Sequence, residues 1–203
     1  MIEEVFSVKL PVDETLKLKR NRFNPPDITT STKRISIVTG THGDELEGQY
    51  VCYLLIKWLR ENPKKIKGIV DIYPAMNPMG IDSINRHFPF YDVDLNRTFP
   101  GHTADFLPAQ VASAIVETVK GSDFAIDIHA SNIFLKELPQ VRISRSNAHE
   151  LVPLAEKIGI DFIWVHDAVT VLESTFSHAM NSIGTKTLVV EMGVGMRITK
   201  EYG

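Results

Sequence analysis

Between Arg34 and Tyr73 the chain passes from one strand-like run through a helix-like run into a second strand-like run, an order few architectures accept. Arg34-Ile-Ser-Ile-Val-Thr39 is β-branched and stops at Gly40, as a strand covered on both faces would. Leu46, Tyr50, Val51, Leu54, Leu55 and Trp58 then recur at helical spacing, with Asp44 placed to cap the helix. A second apolar run, Gly68 to Tyr73, ends at Pro74. Parallel strands need a crossover of this kind, so the segment reads as a parallel unit of an α/β domain.

The alternation continues to the end of the chain. Two short strand-like runs, Glu4 to Leu10 and Thr15 to Arg20, precede the unit. After it come a helix over Pro108 to Lys120 and a strand over Phe124 to Ile128. A strand at Gln140 to Ile143, a helix at Ala148 to Ile158 and a strand at Phe162 to Val165 follow. A helix at Ser174 to Ser182 and a last strand at Lys186 to Val190 complete the pattern. With 203 residues and no linker or repeat, the expectation is a single domain over 1–203, a mixed, largely parallel twisted sheet flanked by helices.

Composition narrows the function classes. Lys and Arg total 22 against 25 Asp and Glu, for a net charge of −3, which gives no electrostatic reason to expect nucleic acid. The short basic run Lys17, Lys19, Arg20, Arg22 is expected to be one solvated strand face. No apolar stretch is long enough to span a bilayer, and the start lacks the pattern of a signal peptide. Cys52 is the sole cysteine, placed in an apolar run where it reads as a buried thiol. A cytoplasmic protein with no membrane partner fits, and a homo-oligomer stays open.

Chemistry gathers where strands end, because loops at the carboxyl ends of strands form the crevice of an open α/β sheet. The first such end is Thr39-Gly-Thr-His-Gly-Asp-Glu45: His42 lies in the turn and Glu45 about one helical turn later, so both side chains can converge. The second is Asp127-Ile-His129, a histidine at the exit of a buried strand. Two histidines and a carboxylate are a ligand set of catalytic zinc, which keeps one position for water. Asp127 or a nearby carbonyl is placed to fix an imidazole tautomer. Taken singly, either histidine is better read as packed or surface-exposed, and the His-x-x-Glu spacing arises by chance. Gly40, Gly43 and Gly48 hint at a phosphate loop, but match neither the dinucleotide fingerprint nor the Lys-ending loop. The combination, with a long polar loop between its parts, carries the reading.

That loop, Met76 to Gly101, holds Asp94-Leu-Asn-Arg97. Asn96 and Arg97 suit a substrate carboxylate, because a guanidinium fork matches carboxylate geometry. Arg86 lies upstream, where it could polarise a carbonyl and steady an oxyanion. Surface ion pairs are the ordinary alternative for both arginines, and Asp94 is expected to pin the loop. The third strand end is Val190-Glu-Met-Gly193. Glu191, just past a β-branched run, could accept a proton from attacking water and return it to a leaving amine, with partial desolvation raising its pKa. Alone it could equally be a salt-bridged residue.

Gly40-Thr-His-Gly-Asp-Glu45, Asp94-Leu-Asn-Arg97, Asp127-Ile-His129 and Val190-Glu-Met-Gly193 together resemble the succinylglutamate desuccinylase/aspartoacylase family of the zinc carboxypeptidase-like clan. The motifs stand in the family's order from about Arg34 to Glu191. The resemblance implies one zinc ion held by His42, Glu45 and His129, carboxylate recognition by Asn96 and Arg97, a carbonyl-polarising Arg86, and Glu191 as general base. It implies an amidohydrolase acting on linear amides, with a small-molecule N-acyl amino acid as substrate. Family members usually continue into a C-terminal β domain, and that domain is expected to be absent from these 203 residues. Arg142 and Arg145 are candidates for further substrate contacts. Three other readings stay open: a zinc carboxypeptidase acting on peptides, a non-catalytic metal-binding module, and a non-haem iron site, which shares the two-His-one-carboxylate set.

Overall fold

The computed structural model describes residues 1–11, 13–167 and 173–202. Eight strands form one sheet: β1 (Ile2–Lys9), β2 (Thr15–Phe23), β3 (Arg34–Thr39), β4 (Ile69–Tyr73), β5 (Phe124–His129), β6 (Glu137–Ser144), β7 (Phe162–His166) and β8 (Lys186–Gly193). Their order across the sheet is β1-β2-β4-β3-β5-β8-β6-β7. The centre, β4-β3-β5-β8, is parallel, as the strand–helix–strand pattern requires. β1 and β2 add an antiparallel hairpin at one edge, and β6 runs antiparallel to β8 at the other. The sheet is therefore mixed and largely parallel, as the sequence predicts.

Helices cover both faces. α1 (Glu47–Glu61), through Cys52, and α4 (Ala148–Ala155) pack on one face over Ile37, Ile72, Val141 and Leu188. α3 (Leu107–Val119) and α5 (Phe176–Ser182) cover the other, over Val38, Tyr73, Ala125 and Phe88. Burial pushes the Cys52 thiol up to about 12, so it behaves as a small hydrophobe, as expected. Among the described residues no helix is long and apolar enough to cross a membrane.

Two local expectations fail for physical reasons. Asp44 does not cap α1; Leu46 holds the N-cap position without a side-chain bond, because Asp44 falls in the turn leading in. The basic run of β2 is not one face. Strand alternation sends Lys17 and Lys19 outward, while Arg20 and Arg22 continue the inward side of Leu16 and Leu18 toward the buried Asp71.

The loop after β4 is ordered by short structure of its own. Asn77 caps the brief helix α2 (Pro78–Asp82) by accepting from the Gly80 N–H at 2.9 Å, and Asp94 caps the turn Leu95–Arg97 by accepting from Asn96 N–H at 2.8 Å. The loop lies directly on the His42 turn: Gly43 donates to the Asn85 carbonyl at 3.0 Å. A Cβ on Gly43 would stand 1.9 Å from the Gly80 carbonyl carbon, so only glycine allows this approach.

Candidate metal centre and active site

His42 and Glu45 stand in the turn after β3, and His129 is the last residue of the neighbouring β5. The parallel pairing of β3 and β5 brings the two strand ends side by side. Nδ1 of His42 is 2.6 Å from Glu45 Oε1, and Nδ1 of His129 is 2.9 Å from Glu45 Oε2. The three ligand atoms lie within 4.8 Å of one another, and all three residues are buried. The Ala130 N–H donates to Glu45 Oε2 at 3.0 Å and orients the carboxylate.

A carboxylate stands at the far side of each imidazole, hydrogen-bonded to His42 and within ion-pair distance of His129. His42 Nε2 is 2.9 Å from Asp94 Oδ1, and His129 Nε2 lies 3.1 Å from Asp127 Oδ2. Asp127 sits two residues before His129, on the same side of the strand. With Nε2 protonated toward these acceptors, each ring turns the lone pair of Nδ1 to the common centre. That tautomer and donor set, two imidazole nitrogens and one carboxylate with carboxylates behind them, fits a zinc ion.

Charge balance follows. Burial opposes charge on His42, but hydrogen bonds to Asp94 and Glu45 outweigh it and hold the pKa above the ordinary imidazole value. Burial acts likewise on His129, and the charges of Asp127 and Glu45 raise it well above that value. Glu45 and Asp94 would be raised by burial, but the facing imidazoles hold both well below the usual carboxylate range.

Arg86 reaches into the same cluster, with Nη1 3.2 Å from Glu45 Oε1 and Nη2 3.0 Å from Asp94 Oδ2. Asn96 is buried between elements: its Oδ1 accepts from the Phe176 N–H at 2.9 Å, and its Nδ2 lies 3.4 Å from His129 Nε2. Arg97 donates to the Asn96 carbonyl at 2.8 Å, makes no ion pair within 4 Å among the described residues, and lines the cavity. Glu191 is the register partner of His129 on β8. Burial pushes it up to about 7, with His129 pulling the other way. A cavity of about 1010 Å³ opens over the cluster, lined among others by His42, His129, Arg97, Arg142, Trp164 and Glu191.

All seven sequence candidates thus fall around one cavity. Two groups escaped the sequence reading. Asp94 does more than pin its loop, since one oxygen bonds His42; its place directly before Leu-Asn-Arg97 was the available hint. Arg142, expected only as a further substrate contact, joins both Glu191 and the unforeseen Glu137 through hydrogen bonds across β6 and β8, a contact that no spacing in the sequence signals. Arg145, the other arginine proposed for substrate, pairs instead with Asp167.

The succinylglutamate desuccinylase/aspartoacylase catalytic-domain model matches residues 31–202. The chain belongs to this family. It is 32% identical over 101 residues, 49% of the chain, to N-alpha-acetyl-L-2,4-diaminobutyric acid deacetylase of Halomonas elongata, of which the match covers 29%. It is 37% identical over 68 residues, 33% of the chain, to aspartoacylase of Mus musculus, of which the match covers 20%. The crystal structure of succinylglutamate desuccinylase/aspartoacylase from Rhodobacter sphaeroides superposes with a TM-score of 0.80 at 22% identity, over 99% of this chain and 60% of that one. This likeness establishes the shared fold, and the chain spans about 60% of the length of that structure. The named relatives are hydrolytic deacylases.

Proposed function

We propose that this chain is the zinc-binding catalytic domain of a deacylase that hydrolyses the amide bond of an N-acyl amino acid. The observation that carries the reading is the convergence of His42 Nδ1, His129 Nδ1 and the Glu45 carboxylate, backed by Asp94 and Asp127, beside Glu191. Zinc, held by His42, Glu45 and His129, would supply Lewis-acid polarisation of the acyl carbonyl and acidify water.

The remaining work belongs to side chains. Arg97 and Asn96 both line the cavity beside the cluster; together they grip the substrate carboxylate. Arg86, at the rim of the cluster, donates to the carbonyl oxygen as negative charge gathers there. Glu191 takes a proton from water as its oxygen attacks the acyl carbon. It returns that proton to nitrogen as the C–N bond breaks, leaving a carboxylic acid and a free amine. A carboxylate with a pKa near the working pH suits both transfers.

The test is elemental analysis of the purified chain with a screen of N-acyl amino acids beside short peptides. About one zinc per chain and release of amino acid from the N-acyl series is the expected result. Glu191→Gln should abolish turnover and keep the zinc. Unaltered turnover in that variant, or a chain that takes up no zinc, sinks the proposal; cleavage of peptides alone would make it a carboxypeptidase.

A further inference from the structure

β6 and β8 pair antiparallel, with Gln140 opposite Glu191 and Arg142 opposite Val189. Residues opposite each other share a face, so Arg142 is the diagonal neighbour of Glu191 on the cavity side. Trp164 of β7 is the register partner of Arg142, and lies on that face too. Between Glu137 and Gln140 the register shifts: three steps on β6 match two on β8, from Gly193 to Glu191. Three regular steps would turn Glu137 to the opposite face from Gln140. The bulge instead brings it beside Arg142, as bulges near active sites re-aim side chains.

The result is a clamped arginine. Nη2 donates to Glu137 Oε1 at 2.8 Å, Nη1 donates to Glu191 Oε1 at 3.3 Å, and the guanidinium lies 5.3 Å from the Trp164 ring centroid. Its charge is already matched by two carboxylates, which leaves it a poor anchor for a substrate anion. Glu191 Oε2 makes no hydrogen bond among the described residues, while Oε1 is tied.

The geometry points to Arg142 as a positioning residue, held by the bulged Glu137 and by Trp164, that fixes Oε1 of Glu191 so that Oε2 is the oxygen that exchanges the proton. This rests on the role given to Glu191 above. A base held by one oxygen keeps the other at a constant distance from the reacting water, and a misplacement of about 1 Å costs on the order of 100-fold in rate. Arg142 is long enough to act this way from a neighbouring strand, and its planar fork serves both carboxylates at once.

The experiment compares Arg142→Met, Arg142→Lys and Glu191→Gln in the zinc-loaded 203-residue chain, reading kcat, KM, zinc content and thermal melting for each. Arg142→Met should lower kcat by on the order of 100-fold with KM and zinc content within about twofold, because the contact acts on the base alone. Arg142→Lys should recover about tenfold of that loss by restoring one of the two bonds. A rise in KM at constant kcat would make Arg142 a substrate contact and overturn the inference. Unchanged kcat in Arg142→Met, or a loss of zinc and melting temperature that Lys does not repair, would overturn it as well. If Glu191→Gln keeps full turnover, the reading of Glu191 is the one that fails, and the positioning role falls with it.

Discussion

At the level of single residues the site is a balance between protons and a cation. His42 and His129 favour their charged forms because carboxylates face them, yet a metal needs both neutral. Their pKa values are raised, so the proton is bound below the folded value and lost as pH rises through it. Zinc affinity should therefore fall on acidification, by about tenfold per pH unit for each imidazole that must deprotonate, and level off above both pKa values. Competition titrations with a chelator across the neutral range check this; a flat profile would deny that these rings are the ligands. Glu191 has a consequence of the same sign. As a base it must be anionic, so kcat/KM should drop as pH falls through its pKa, up to about 7 and lower when a cation stands nearby. A pH–rate profile lacking that acid limb would remove Glu191 from the mechanism.

At the level of elements, the sequence made strands and helices readable and hid how loops lock onto them. β3, β5 and β8 were legible because buried parallel strands read as β-branched runs, and the chemistry sits at their ends. His42, Glu45 and His129 were legible for the same reason. Arg142 was named only as a substrate contact, and its pairing with Glu137 and Glu191 was not legible, since a bulge depends on how two strands pair and leaves no trace in either alone. The long loop was visible as a loop, but its anchoring through Asn77 was not. That side chain is fully buried; it accepts from Gly80 N–H and donates to the His87 carbonyl at 3.2 Å. Asn77→Ala removes a cap and strands a carbonyl, and should cost about 0.5–2 kcal/mol. Amide exchange should quicken across residues 78–101 while β3 and β5 stay protected, because the loss is local. Equal quickening throughout the sheet would show that Asn77 supports the whole fold.

At the level of the whole molecule, the N-terminal hairpin of β1 and β2 is joined to the parallel centre of the sheet through β4. Hydrophobic contact contributes through Leu16 and Leu18, but the join is centred on Asp71 of β4. Asp71 has no solvent exposure, and its carboxylate takes a two-point contact from Arg22, Nε at 2.7 Å and Nη2 at 2.6 Å. Arg20 adds a contact at 3.4 Å, and Arg34 of β3 stands 3.7 Å away. One buried anion thus ties β2 to β4 and faces cationic residues from β2 and β3. Burying such a charge is tolerable only while its partners remain, and the partners are partly exposed while the anion is not. Removing the Arg22 fork leaves the fully buried carboxylate with only the longer contacts of Arg20 and Arg34, which is the expensive direction. Arg22→Met should therefore destabilise the chain by about 3–5 kcal/mol, whereas Arg20→Met, which leaves the Arg22 fork in place, should cost much less. Denaturant unfolding of the two variants decides it. Comparable losses would mean that the hairpin is held by its apolar side chains, with the ion cluster contributing little.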